Sequence, residues 1–154
     1  MNAEPIILRI ARASATARLE AIIIGNSGAA LRGAPVTTMD FDLFVRDIET
    51  DDAKIRAFAA ALGALILRSD PALTRTVKIE DPTSGLFVDL IDRPAGMKSF
   101  AAVRKRASRL RLGPTAARLY VASMADIIAS KRMLGRPKDL ALLPILEAAR
   151  HEAR

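Results

Sequence analysis

The sequence predicts an α+β fold: a mixed β-sheet with helices mainly on one face and an open face that carries carboxylates. Three observations predict it. The run Ala21-Ile22-Ile23-Ile24 is too uniformly apolar for a strand that faces water on either side. The stretch Asp40 to Val45 alternates, with Asp40 and Asp42 on one face and Phe41, Leu43 and Val45 on the other. Thr76 to Glu80 and Leu86 to Ile91 flank the strong turn Asp81-Pro82-Thr83-Ser84-Gly85 and read as a hairpin.

The remaining elements follow in order. Pro5 to Leu19 reads as an amphipathic helix. Ile6, Ile10, Ala13 and Ala17 form its stripe, and Arg9, Arg12 and Arg18 lie outside it. The small residues from Ser27 to Leu31 permit a short helix, ended by Gly33 and Pro35. Asp51 to Leu62 is a helix with Ile55, Phe58, Ala59 and Leu62 on one face, closed by Gly63. Leu65 to Leu67 is a short strand, and Asp70-Pro71 turns the chain. Ser123 starts a helix with Asp126 completing a capping box, and Gly135 ends it. Pro137 opens a last helix at its first turn, which Pro144 should kink or restart.

Length and composition fit one domain over residues 1–154 with a sizeable core. The absence of cysteine excludes disulfides and thiolate metal sites and fits a reducing cytoplasm. No apolar run approaches a membrane span, and the N-terminus lacks an apolar signal core, so no membrane association is expected. His151 is the only histidine and lies near the terminus, which argues against a Ser-His-Asp set or a multi-histidine zinc site. The net charge of +7 favours an anionic partner. The plainer reading is a compositional bias in which Ala and Arg replace Ser and Lys. The same two readings hold for Lys98 to Arg118, which has many cations and no acid. It is either a solvated face or a phosphate or RNA patch beside the site.

The chemistry concentrates around Gly25-Asn26-Ser27 and Asp40-Phe41-Asp42. A buried strand that feeds small residues at a helix start directs free backbone N–H groups at an anion. Two aspartates on one strand face beside such a cradle suit divalent metal and phosphoryl chemistry. Asp42 lies inside an otherwise apolar strand, where a lone carboxylate needs a partner. Asp89 has the same setting in Phe87-Val88-Asp89-Leu90-Ile91, with Val88 and Leu90 facing the core. Lys131 falls on the packing face of Ile127, Ile128 and Leu134, so it either snorkels to the rim or reaches a buried anion. A carboxylate at Asp139, in a first helical turn, is stabilising without any further role.

The run GNSGAALRGAPVTTMDFDLFV resembles the signature of the nucleotidyltransferase superfamily. That signature is a glycine followed by Gly or Ser, then Asp-x-Asp on the next strand and a third carboxylate on a later one, matched by Asp89. The later runs Asp126-Ile127-Ile128-Ala129-Ser130-Lys131 and Gly135-Arg136-Pro137-Lys138-Asp139 are similar to those of small bacterial members that include the AbiEii-type toxins of toxin–antitoxin systems. The matches run from about Gly25 to Asp139. Asn26 stands where Gly or Ser is expected, Arg32 where many relatives have His, and Val36 where relatives often carry Arg.

The resemblance implies a metal-dependent transfer of an NMP from an NTP to an RNA or protein acceptor. Asp40, Asp42 and Asp89 would hold Mg²⁺ or Mn²⁺, and Asp89 would alternatively act as base. Gly25, Asn26 and Ser27 would bind the phosphates. Lys131, with Arg136 or Lys138, would neutralise their charge. The implied partners are the NTP, tRNA or another RNA, and a cognate antitoxin protein in the cytoplasm. An alternative of a different class is a weakened member acting as a binding or regulatory module, to which Asn26 and Val36 point. A third reading is a small-molecule transferase of the antibiotic-modifying kind. That would need a second domain or a dimer to build its acceptor pocket, and a cationic drug would want acidic walls.

Overall fold

The computed structural model describes residues 5–36, 40–67, 75–114 and 116–153. The turn expected at Asp70-Pro71 lies outside the described residues. Seven strands form one mixed sheet: β1 (Ala21–Ile24), β2 (Asp40–Phe44), β3 (Leu65–Leu67), β4 (Thr76–Asp81), β5 (Leu86–Ile91), β6 (Ser108–Arg109) and β7 (Leu119–Val121). Their order is β3-β4-β5-β2-β1-β7-β6. β1 pairs antiparallel with β2 and parallel with β7, and β2 pairs parallel with β5. β4 and β5 form the expected hairpin, closed by Gly85 at φ +77°.

Among the described residues six helices flank the sheet: α1 (Ile6–Ala17), α2 (Gly25–Leu31), α3 (Asp52–Leu62), α4 (Phe100–Arg106), α5 (Met124–Leu134) and α6 (Pro137–Glu152). The mixed α+β sheet is the expected one, but its helices divide between the two faces. The reason lies in the central strand. β1 is apolar on both sides, so Ile23 and Ile22 each need a cover. On one face Ile23, Leu43, Val88 and Leu90 pack with Ile10 of α1 and Phe58 of α3. On the other, Ile22, Ile24 and Phe44 pack with Phe100 of α4, Ile127 of α5 and Leu146 of α6. Phe44 and Phe100 meet edge to face at 5.3 Å.

Local chemistry ends α3 and α5 where the sequence indicates. Gly63 and Gly135 take left-handed conformations after α3 and α5. The Ser123 hydroxyl accepts the Asp126 N–H at 3.1 Å as the cap of α5. Helix α6 runs unbroken through Pro144, so that proline does not restart it; buried Leu146 and Ala149 hold it against the second core. Helix α4 and strands β6 and β7 have no counterpart in the sequence reading. β7 is three residues long and β6 two, too short for a period to show.

Two polar ties brace the frame. Arg9 of α1 pairs with Asp81 at 2.9 Å, at the hairpin turn. The Ser84 hydroxyl, then Arg9, hold the Asp81 carboxyl down at about 2. At the end of α2, Arg32 donates to the carbonyls of Ala122 and Val121, both at 2.9 Å, fastening that helix to β7.

Phe58 is fully buried in the first core. Phe58→Ala should lower the unfolding free energy by about 3–5 kcal/mol, read from denaturant midpoints at unchanged slope.

Candidate active site

The site begins with a backbone conformation only glycine takes easily. Gly25 leaves β1 at φ +63°, and a Cβ there would stand 2.4 Å from Asp42 Oδ2. The β1–β2 register sets Ile24 opposite Asp42, so the turn lies directly against this carboxylate. Ser27 locks the arrangement from behind. Its hydroxyl donates to the Ile24 carbonyl at 2.9 Å and accepts the Asp42 N–H at 3.2 Å. The side chain is buried, so its hydroxyl serves as a tie inside the protein.

A cleft of about 620 Å³ opens over this turn. Asp40, Asp42 and Asp89 line its floor, Gly25 and Asn26 one wall, and Lys131, Arg136 and Lys138 the other. All the residues singled out in the sequence, except Ser27, therefore border one cavity. Parallel pairing of β2 and β5 places Asp42 directly beside Asp89. Burial, then the neighbouring Asp89, raise the Asp42 carboxyl to about 6. Burial raises Asp89 as well, opposed by Lys78. Lys78 Nζ is 4.0 Å from Asp89 Oδ1, too long for a hydrogen bond. That buried oxygen has no hydrogen-bond partner, and neither has Asn26 Oδ1.

These donors fit a hard divalent cation. Mg²⁺ is commonly held by one or two carboxylates and completed by substrate phosphates and water. Among the described residues no three carboxylate or imidazole side chains form a ready cage. The paired aspartates, with an oxygen that has no hydrogen-bond partner among the described residues and a disfavoured second charge, could supply the protein's share of such a site.

The opposite wall carries its own counter-charge. Asp139 is buried and receives Arg136 Nε at 2.5 Å and Nη2 at 3.1 Å. Lys131, also buried, places Nζ 3.5 Å from Asp139 Oδ1. Lys131 thus reaches a buried anion from α5, and that anion is Asp139 at the start of α6. Its charge also favours the ionised form of Asp42. Asp139 was legible only as a first-turn carboxylate; the hairpin of α5 and α6 makes it the anchor of both cations.

Arg93 also lines the cleft and was not singled out. The signal for it is the alternation Asp89, Ile91, Arg93, which continues one strand face past the end of β5. The basic stretch from Lys98 to Arg118 contributes no residue to the cleft lining. Arg104 instead pairs with Glu20 at 3.1 Å, and Arg106 with Asp126 at 2.9 Å.

Two outcomes follow from this geometry. An acid whose folded pKa is raised contributes stability at low pH that is lost as pH climbs from about 4 through about 6. Metal-free Asp42→Asn should therefore be more stable than the parent at pH 7, by about 1–2 kcal/mol, and equal to it below pH 4, as read by thermal melts. Gly25→Ala should destabilise the fold by about 1–3 kcal/mol and displace the Asp42 carboxylate, visible as loss of divalent-metal-dependent stabilisation.

No protein-family model and no curated protein sequence matches this chain. A solved structure does match: the solution structure of the antibiotic-resistance factor ANT(2'')-Ia, an aminoglycoside nucleotidyltransferase. The TM-score is 0.62 at 16% identity, over 95% of this chain and 88% of that one. The described strands and helices thus build the fold of a nucleotidyltransferase.

Proposed function

We propose that the chain is a metal-dependent nucleotidyltransferase that moves an NMP from an NTP to a hydroxyl acceptor. The observation that carries this reading is the Asp42–Asp89 pair, side by side in the cleft with a buried oxygen of Asp89 that has no hydrogen-bond partner among the described residues. Two carboxylates held together in a half-buried setting repel, and a divalent cation relieves the repulsion.

Asp40 and Asp42, with Asp89 beside them, would hold Mg²⁺ or Mn²⁺. When bound, that ion screens the triphosphate and draws charge from the α-phosphorus. Lys131 and Arg136 face the phosphates as a preset positive wall, since Asp139 already orients both. The acceptor oxygen bonds to the α-phosphorus, the bond to the bridging oxygen breaks, and pyrophosphate leaves. Where Asp89 is not itself a metal ligand, the hydroxyl proton passes to it, and its burial favours the protonated form.

Chain length does not oppose a small acceptor, because ANT(2'')-Ia is matched over 88% of its own chain. A second reading, a nucleotide-binding module without transfer, is favoured by Asn26, which puts an unpartnered amide oxygen at the cradle.

Each NTP should raise the melting temperature only with Mg²⁺ or Mn²⁺. The gain is about 2.7 kcal/mol at a hundredfold excess over Kd, and Asp42→Ala should abolish it. Label from an α-labelled NTP should pass to RNA, to lysate protein or to the protein itself. Stabilisation without transfer would establish the binding module. Stabilisation absent with every nucleotide and metal would overturn the nucleotide-site reading.

A further inference from the structure

Four cations line the cleft: Arg93, Lys131, Arg136 and Lys138. Two are already committed, because Lys131 and Arg136 converge on buried Asp139. Arg93 and Lys138 are exposed, and among the described residues neither forms a hydrogen bond or ion pair. Arg93 acts on Asp47 only at longer range.

Arg93 stands on a segment built to hold it still. Asp92, just before it, is buried and accepts the Ile48 N–H at 2.9 Å, Arg75 Nε at 3.2 Å and Arg75 Nη2. Pro94, just after it, is buried. Gly96 then lies so close to α5 that a Cβ would stand 2.8 Å from the Ala129 carbonyl. Buried residues on both sides fix the Arg93 backbone, so little backbone freedom is lost when its exposed side chain binds. Asp89, Ile91 and Arg93 all line the cleft, so the guanidinium shares the side of β5 that carries the carboxylate.

We propose that Arg93 is a phosphate-binding residue of this cleft. The proposal rests on the nucleotidyl-transfer reading for which phosphates enter. Unlike Lys131 and Arg136, Arg93 is in no carboxylate contact pair among the described residues, and its planar fork suits two phosphate oxygens at once. The phosphate belongs either to the triphosphate of the nucleotide or to a nucleic-acid acceptor that presents its hydroxyl near Asp89.

The test uses the full chain, Arg93→Gln and Arg93→Lys, with two probes: tripolyphosphate with Mg²⁺, and a short single-stranded RNA. Melting without ligand should match the parent for both variants, since the side chain is exposed. Arg93→Gln should bind at least one probe about tenfold more weakly, and Arg93→Lys should recover part of the loss. Loss confined to tripolyphosphate supports the proposal and assigns the nucleotide's phosphates. Loss confined to RNA, with the salt dependence shallower by about one phosphate contact, supports it and assigns the acceptor's. Unchanged binding of both probes, or no binding of either by the parent, overturns it. Probe binding weakened by Arg93→Gln, together with no label transfer from any NTP, would uphold Arg93 and defeat the transfer reading alone.

Discussion

The contact between the Gly25 turn and the Asp42 carboxylate sets the rest of the site. Only a residue without a Cβ lets β1 end against β2 this closely. Ser27 then fixes the turn to both strands, and the β2–β5 register does the remainder by bringing Asp89 alongside. The protein thereby holds two carboxylates where at most one is comfortable as an anion, which is why burial and proximity push Asp42 up to about 6. Such a pair is costly to fold around.

The second constraint comes from the hairpin of α5 and α6. A buried aspartate between a lysine and an arginine contributes little net stability, because desolvation offsets the attraction. What it provides is position. Asp139 anchors Lys131 inside the protein and pairs with Arg136 at the cleft, so positive charge lines the cleft before any ligand binds. The two-sided core explains why this wall exists at all. β1 buries both of its faces, and α5 and α6 reach the cleft because Ile22, Ile24 and Phe44 need them as cover.

Much of this was legible along the chain. The glycine turn, the Asp-x-Asp strand, the hairpin carrying Asp89 and the helix carrying Lys131 each leave a local signature. Those residues do line one cleft. The short elements were not legible: α4, β6 and β7 draw their order from neighbours, with β7 held by its pairing to β1. Side-chain partners were equally hidden. The Ser27 hydroxyl proves to be a buried tie, and Arg32 proves to fasten α2 to β7. The basic stretch read either as a solvated face or as a phosphate patch; its arginines at 104 and 106 answer carboxylates far along the chain, Glu20 and Asp126.

Sequence alone determined what depends on neighbours along the chain: periodicity, the turns at glycine and proline, and which carboxylates share a strand face. Tertiary structure decided what depends on strand order and helix docking. It set the Asp42–Asp89 register, joined Lys131, Arg136 and Asp139, placed Arg93 in the cleft, and put helices on both faces of the sheet. The physical reason is range. Backbone sterics and hydrophobic period act over a few residues, whereas the charge of Asp42 is set by groups that only packing brings near.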